Sequence, residues 1–176
     1  MTRSFLLLLT ACILLAYSEP GRAQEPGEIH WMTWQEAMMA RKDQPRKIFI
    51  DMYTHWCGWC KKMDASTFHD SVVAANISKH FYAVKFDAET RDSLDYRGDR
   101  FGYRPDFKVN ELAAVLLNGQ MSYPTVVYLD EELNLITPVP GYMTAEQILP
   151  ILTFFGEDIY KNKTWEEYSE EFRKSK

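Results

Sequence analysis

Lys47-Ile48-Phe49-Ile50-Asp51-Met52-Tyr53, a short turn, and then Trp56-Cys57-Gly58-Trp59-Cys60-Lys61 form the stretch from which the fold of this chain follows. The unbroken apolar run Ile48-Phe49-Ile50 implies a central strand buried on both faces. Two thiols three positions apart can close into a small disulfide and open again. If Cys60 begins a helix, Cys57 lies at its N-terminus, where unpaired backbone N–H groups stabilise a thiolate. A thiolate is the species that attacks a disulfide. Strand, turn, paired cysteines and helix together suit dithiol–disulfide exchange. The competing readings are a fixed disulfide or half of a zinc site. Zinc needs about four ligands, and the nearest histidines, His55 and His69, have no matching spacing.

The 176 residues allow one domain of ordinary size plus a leader. Hydrophobic residues at 46% and aromatics at 14% suit a packed core. The formal charge of −5 comes without a basic cluster, so neither nucleic acid nor an anionic lipid surface is an expected partner. The N-terminus reads as a secretory signal. Arg3 precedes an apolar run from Phe5 to Ala16, long enough for a signal core and short for a membrane span. Gly21-Arg22-Ala23 places small residues for cleavage after Ala23. The expected organisation is a signal peptide over 1–23, a domain over 24–156 and a C-terminal helical extension over 157–176. A rival reading takes Leu9-Thr10-Ala11-Cys12 as a lipid-attachment box, with Cys12 diacylated at the membrane. Against it, the apolar run continues beyond Cys12 through Ile13-Leu14-Leu15-Ala16. With Cys12 removed, Cys57 and Cys60 are the remaining thiols, so no framework of structural disulfides is expected.

Punctuation along the chain places the other elements. Residues 24–30 read as a short tail. Thr33 with Glu36 forms a capping box opening a helix to about Lys42. A strand is expected over Arg46 to Tyr53, helices over Gly58 to Ala65 and Asp70 to Ser78, and a strand over Phe81 to Asp87. Residues 88–109 are polar and without periodicity, and read as a long inserted loop with a small hairpin around Tyr96 to Tyr103. In it Arg91, Arg97, Arg100 and Arg104 alternate with Asp92, Asp95, Asp99 and Asp106, which suits a solvated surface. Asn110 caps a short helix to Leu117 that Gly119 closes. Strands are expected over Thr125 to Leu129 and, at an edge, Leu135 to Val139, ended by Gly141. Thr144 with Gln147 opens a helix to about Phe155, and Thr164 a last one from Trp165 to Arg173. Trp165, Tyr168 and Phe172 share a face of that helix and read as its packing stripe.

An early βαβ unit followed by a hairpin and a helix gives a mixed sheet with helices on both faces. From Ile48 to Phe155 the chain resembles the thioredoxin family, on Asp51, the Trp56-to-Lys61 motif, Lys85, Tyr123-Pro124-Thr125 and Gly141, in the family's order. The leading helix, the insert and the last helix look more like exported thioredoxin-related proteins of bacteria. The resemblance implies an α/β thioredoxin-like fold, a central mixed β-sheet flanked by helices, here with the inserted loop and extra C-terminal helix. It implies a dithiol–disulfide oxidoreductase of the periplasm, acting on disulfides of other proteins and recycled by a dithiol donor, without metal or organic cofactor. Oxidase or isomerase activity, a dedicated maturation role for one client, and a non-catalytic binding or chaperone module are the alternatives.

Cys57 is expected to be the nucleophile and the more exposed sulfur, and Cys60 the buried resolving thiol. Asp51 lies among Ile, Phe and Met, where a carboxylate's pKa rises. It matches the family's buried acid, implied to move a proton to or from the resolving cysteine, and Lys85 matches a lysine that approaches that acid. Pro124 resembles the family's cis-proline, beside which Tyr123 offers its main chain to a substrate strand. Trp56 is expected as an apolar platform, with Gly58 and Trp59 on the substrate side of the pair. Trp59 departs from the proline of many thioredoxins and from the histidine of strong oxidants. It supplies neither a stiffened helix start nor a positive charge, which leans the reading toward a reductant or an intermediate potential. His55 could favour the Cys57 thiolate, or be an exposed spectator.

Overall fold

A computed structural model describes residues 27–175. The signal-peptide and lipid-attachment readings, with Cys12, lie outside those residues. In chain order the elements are β1 (Trp31–Met32), α1 (Trp34–Asp43), β2 (Lys47–Tyr53), α2 (Gly58–Ala65), α3 (Ser71–His80), β3 (Phe81–Asp87), β4 (Leu94–Tyr96), β5 (Asp99–Phe101), β6 (Tyr103–Arg104), β7 (Val109–Asn110), α4 (Glu111–Leu116), β8 (Thr125–Leu129), β9 (Leu135–Pro140), α5 (Ala145–Gly156) and α6 (Trp165–Lys174). The main sheet runs β1-β3-β2-β8-β9. The first three strands are parallel, whereas β8 is antiparallel to β2 and β9 to β8.

Alternation along β2 sorts the core into two layers. Ile48, Ile50 and Met52 pack with Val84, Phe86 and Val127 beneath Trp34 of α1 and Leu112 and Leu116 of α4. Phe49 points the other way, into Val126, Tyr128 and Ala83, covered by Met63 of α2, Val73 and Ile77 of α3, and Ile148 and Leu152 of α5. Asp51 shares the Phe49 face by the same alternation. The whole strand except Tyr53 is buried, as its unbroken apolar run requires.

Helix starts fall where short-range chemistry puts them. Thr33/Glu36, Thr144/Gln147 and Thr164/Glu167 form complete capping boxes, and Asp70 and Asn110 cap α3 and α4. The packing stripe of α6 docks through Tyr168, stacked on Phe154 at 5.2 Å. Lys47 is 4% exposed and ties this end of the molecule together through Glu131 and Asp158, each at 2.9 Å.

Two expectations need correction. Trp31 and Met32, to which the sequence assigned no element, form strand β1 and pair with β3. The insert is built rather than loose. Its hairpin begins at Leu94 and turns at Arg97 and Gly98, both at positive φ, as a two-residue turn matched to strand twist requires. Leu94 and Tyr96 are buried. The Trp34 indole donates to Asp95 O at 3.0 Å, and the Tyr96 hydroxyl donates to Leu133 O at 2.8 Å. Alternation over three residues is too short to be seen as a period.

Helices α3 and α5 meet at Gly156, where an added Cβ would stand 2.8 Å from His80 Cγ and 3.0 Å from His80 Cβ. Gly156→Ala is expected to destabilise the fold by about 1–3 kcal/mol through overpacking. Thermal unfolding checks this. An unchanged or raised midpoint would mean that α3 and α5 separate at no cost.

Candidate active site

Strand β2 delivers the chain to a tight turn, closed by Cys57 N–H donating to Thr54 O at 3.1 Å. Cys57 is then the N-cap of α2, with extended backbone angles. Its Sγ accepts a hydrogen bond from Cys60 N–H at 3.1 Å. The sulfur thus takes the place of the Ser or Asp oxygen that caps other helices. Cys57 and Cys60 are joined as a disulfide. On reduction, the same N–H and helix start favour the Cys57 thiolate over the thiol.

Both cysteines are covered, Cys57 at 5% exposure and Cys60 at 2%. The expected difference in exposure between the sulfurs is therefore small. Aromatic side chains flank the pair in the chain. Trp56, 66% exposed, meets Tyr123 edge-on at 5.9 Å and donates its indole N–H to Glu89 Oε1 at 2.9 Å. Trp59, 57% exposed, lies 5.3 Å from Tyr142, and the Lys62 ammonium sits over both rings at 4.8 and 5.2 Å. A Cβ on Gly58 would meet no heavy atom within 4 Å, so the surface there is open. The Tyr123-Pro124 bond is cis. Tyr123 precedes β8, whose ladder with β2 begins at Thr125. Burial beside Glu89 and Asp87 pushes its phenol up to about 12, so it stays a neutral donor.

A charged cluster joins the buried Asp51 of β2 to Lys85 of β3 and Asp64 of α2, the helix that carries Cys60. Asp51 and Lys85 are ladder partners across β2 and β3. Lys85 Nζ donates to Asp51 Oδ2 and to Asp64 Oδ1. Its ammonium also lies 4.8 Å over the Trp31 ring. Asp51 is 1% exposed, and its Oδ1 finds no partner among the described residues. Burial pushes its carboxyl up to about 6, against the pull of Lys85. Asp64 had no place in the sequence reading. Its signal was spacing: it stands four residues after Cys60 and so shares its helix face, with Met63 between them buried. The face that buries Cys60 therefore also carries the carboxylate that meets Lys85.

His55 is exposed, and its Nε2 lies 3.3 Å from Asp87 Oδ2. His69 Nδ1 is bonded to Asp64 O at 2.6 Å. Among the described residues, His, Cys, Asp and Glu form no group of three arranged to hold a metal ion. No helix among them is long and apolar enough to cross a membrane.

Comparison with known proteins agrees with this geometry. A thioredoxin-fold protein from Helicobacter pylori superposes with a TM-score of 0.56 at 20% identity, over 73% of this chain and 81% of that one. A putative disulphide-isomerase from Bacteroides thetaiotaomicron gives 0.54 at 22% identity, over 81% of this chain and 100% of that one. At such identities the likeness establishes the fold. In sequence, the thiol:disulfide interchange protein DsbD of Vibrio vulnificus is 31% identical over 61 residues, 35% of this chain and 10% of that protein. The chain spans about a tenth of the length of the curated relatives it matches. Residues 21–175 match the family model Thioredox_DsbH, described as a protein of unknown function, DUF255, and the chain belongs to that family, with a thioredoxin-like fold.

Proposed function

We propose that this protein is a thiol–disulfide oxidoreductase that reduces or exchanges disulfides of other proteins in the periplasm. The observation that carries the reading is the Cys57 sulfur held at the start of α2 by the Cys60 N–H, with the buried Asp51 tied through Lys85 to Asp64 of the same helix. In the reduced protein, Cys57 thiolate attacks one sulfur of the client disulfide. A bond forms between Cys57 Sγ and that sulfur, and the other client sulfur leaves as thiolate. Asp51, ionised and reached through the face that buries Cys60, takes the Cys60 proton. Cys60 Sγ then attacks Cys57 Sγ and releases the second client thiolate. The client gains two electrons and the protein is left as the Cys57–Cys60 disulfide. A dithiol donor returns the pair to the reduced state.

Lys85 holds the Asp51 carboxylate in place. Tyr123 offers main-chain groups to the client strand, with Pro124 beside it, and Trp56, Gly58 and Trp59 form the contact surface. The charge pattern names neither a nucleic acid nor a membrane, unless Cys12 carries lipid. No step in this scheme calls on a metal or an organic cofactor. Export by a signal over 1–23, a working domain over 24–156 and an extension over 157–176 complete the proposal.

Two measurements test it. Cys60→Ser should stop at the first step and accumulate client proteins joined to Cys57, released by reductant on a gel. The reduction potential of the pair should lie nearer to thioredoxin's, about −270 mV, than to the strong oxidant's, about −120 mV. A value near the latter would make the protein a disulfide donor. A pair that does not titrate as a two-electron couple would leave a binding module.

A further inference from the structure

Eight large apolar side chains are prominently exposed among the described residues, and five of them fall in two groups. Trp56 and Trp59 flank the disulfide. Three more, Phe107, Val115 and Met121, at 74%, 45% and 41% exposure, line one groove between the insert and α4. Its volume is about 650 Å³. Clustered apolar exposure of this kind marks a contact surface. One lining residue, Met121, stands two positions before Tyr123, which packs on Trp56.

Two features define the occupant. Arg100 and Phe101 of β5 and Arg104 of β6 line the groove, and both strands belong to two-stranded ladders. A two-stranded ladder leaves an outer row of main-chain groups that an extended polypeptide can join. The groove also carries two guanidinium groups against one carboxylate, Glu111, which already accepts from Arg104 at 3.0 Å and from Gly102 N–H at 3.0 Å. Arg100 pairs with Asp95, outside the groove's lining, through two hydrogen bonds at 2.8 and 3.0 Å, and the pair is well exposed. Among the lining residues alone there are two guanidiniums to one carboxylate, and an entering carboxylate can exchange with the exposed Asp95 for Arg100.

We propose that this groove is a second binding surface for the client polypeptide, taking an extended segment of apolar side chains with at least one carboxylate. The proposal rests on the oxidoreductase reading and assigns the insert the task of client selection. Contacts made there add to those at the disulfide without touching the reacting sulfurs. They should therefore lower KM for long clients and leave small disulfides unaffected.

The test compares two substrates with the full chain and with Phe107→Ser/Val115→Ser, both exposed positions. One substrate is 5,5′-dithiobis(2-nitrobenzoate), too small to span both sites. The other is a synthetic peptide with one intramolecular disulfide and an extended tail of alternating Val and Glu. The double variant should raise KM for the peptide by about tenfold with kcat unchanged, as loss of a few central contacts does. Turnover of the small disulfide should be unchanged. Arg100→Gln/Arg104→Gln should remove the preference for a Glu tail over a Lys tail. Equal KM values for wild type and double variant would overturn the proposal. So would a dimer, measured by sedimentation, that the double variant dissociates, since the groove would then seat a second copy. If wild type reduces neither substrate, it is the oxidoreductase reading that fails.

Discussion

Cys57→Ser is expected to lower the rate of insulin-disulfide reduction by on the order of a thousandfold or more, the scale on which loss of a reacting nucleophile falls. The Cys60 N–H that bonds to Cys57 Sγ at 3.1 Å can stabilise a sulfur anion. It cannot ionise a serine hydroxyl, whose pKa lies far above the working range. Nor can a hydroxyl oxygen accept the sulfur-to-sulfur bond on which the exchange depends. Cys60→Ser should behave differently, because it keeps the attacking thiolate and loses resolution alone. The two variants together distinguish a nucleophile from a structural cysteine. Loss of the disulfide is common to both, so any effect of that loss on stability is common too. Circular dichroism against reduced wild type checks that the fold persists. Turnover by Cys57→Ser close to wild type would remove Cys57 from the mechanism. Trapping of clients by Cys57→Ser instead of Cys60→Ser would reverse the roles of the two sulfurs.

What could be read from the sequence was set by range. Helix starts depend on a side chain and a backbone N–H two or three residues apart, so Thr33, Asp70, Asn110, Thr144 and Thr164 announced them. Strands Phe81–Asp87 and Thr125–Leu129 were bounded by turn residues and carried enough β-branched and aromatic residues to be seen. Strand β1 was not legible, because two residues have no period and exist as a strand only through β3. The insert was read only in part, its hairpin expected about two residues late and its burial missed, for a related reason. Its polar residues are on view in the sequence, whereas the burial of Leu94 and Tyr96 depends on Trp34, some sixty positions away. At the site, the cysteine motif and Asp51 stood out against their neighbours. Asp64 did not, because its meaning comes from Lys85 on another strand. The partners of the two tryptophans were equally out of sight, because Tyr123 and Tyr142 reach Trp56 and Trp59 from distant parts of the chain.

Asp51→Asn is expected to make the oxidised protein more stable at pH 8 while slowing its turnover. The carboxyl has an ordinary value of 3.8 and is pushed up to about 6 in the folded protein, chiefly by burial. A raised acid pKa means that folding favours the protonated form. Below about pH 4 both folded and unfolded chains hold the proton, and nothing is lost. As pH rises through about 6 the folded chain must ionise a buried carboxylate, and stability falls. The gap between the two values corresponds to about 3 kcal/mol above pH 7. Asparagine avoids that cost. It also gives up the charge partner of Lys85, but Lys85 is a quarter exposed and keeps Asp64, so no buried cation is stranded. The net gain should be about 1–3 kcal/mol, or several degrees in the unfolding midpoint. The two proteins should converge in stability near pH 4. Activity should move in the opposite sense. Asp51 can accept the Cys60 proton only when ionised, so wild-type turnover should climb as pH passes through about 6, and the asparagine variant should lack that limb. Lower stability of Asp51→Asn at pH 8 would show that the Lys85 pair outweighs burial. An unchanged pH profile would take the proton transfer away from Asp51. A residue that is costly to fold and is needed for turnover is a stability–activity trade-off located at one carboxylate.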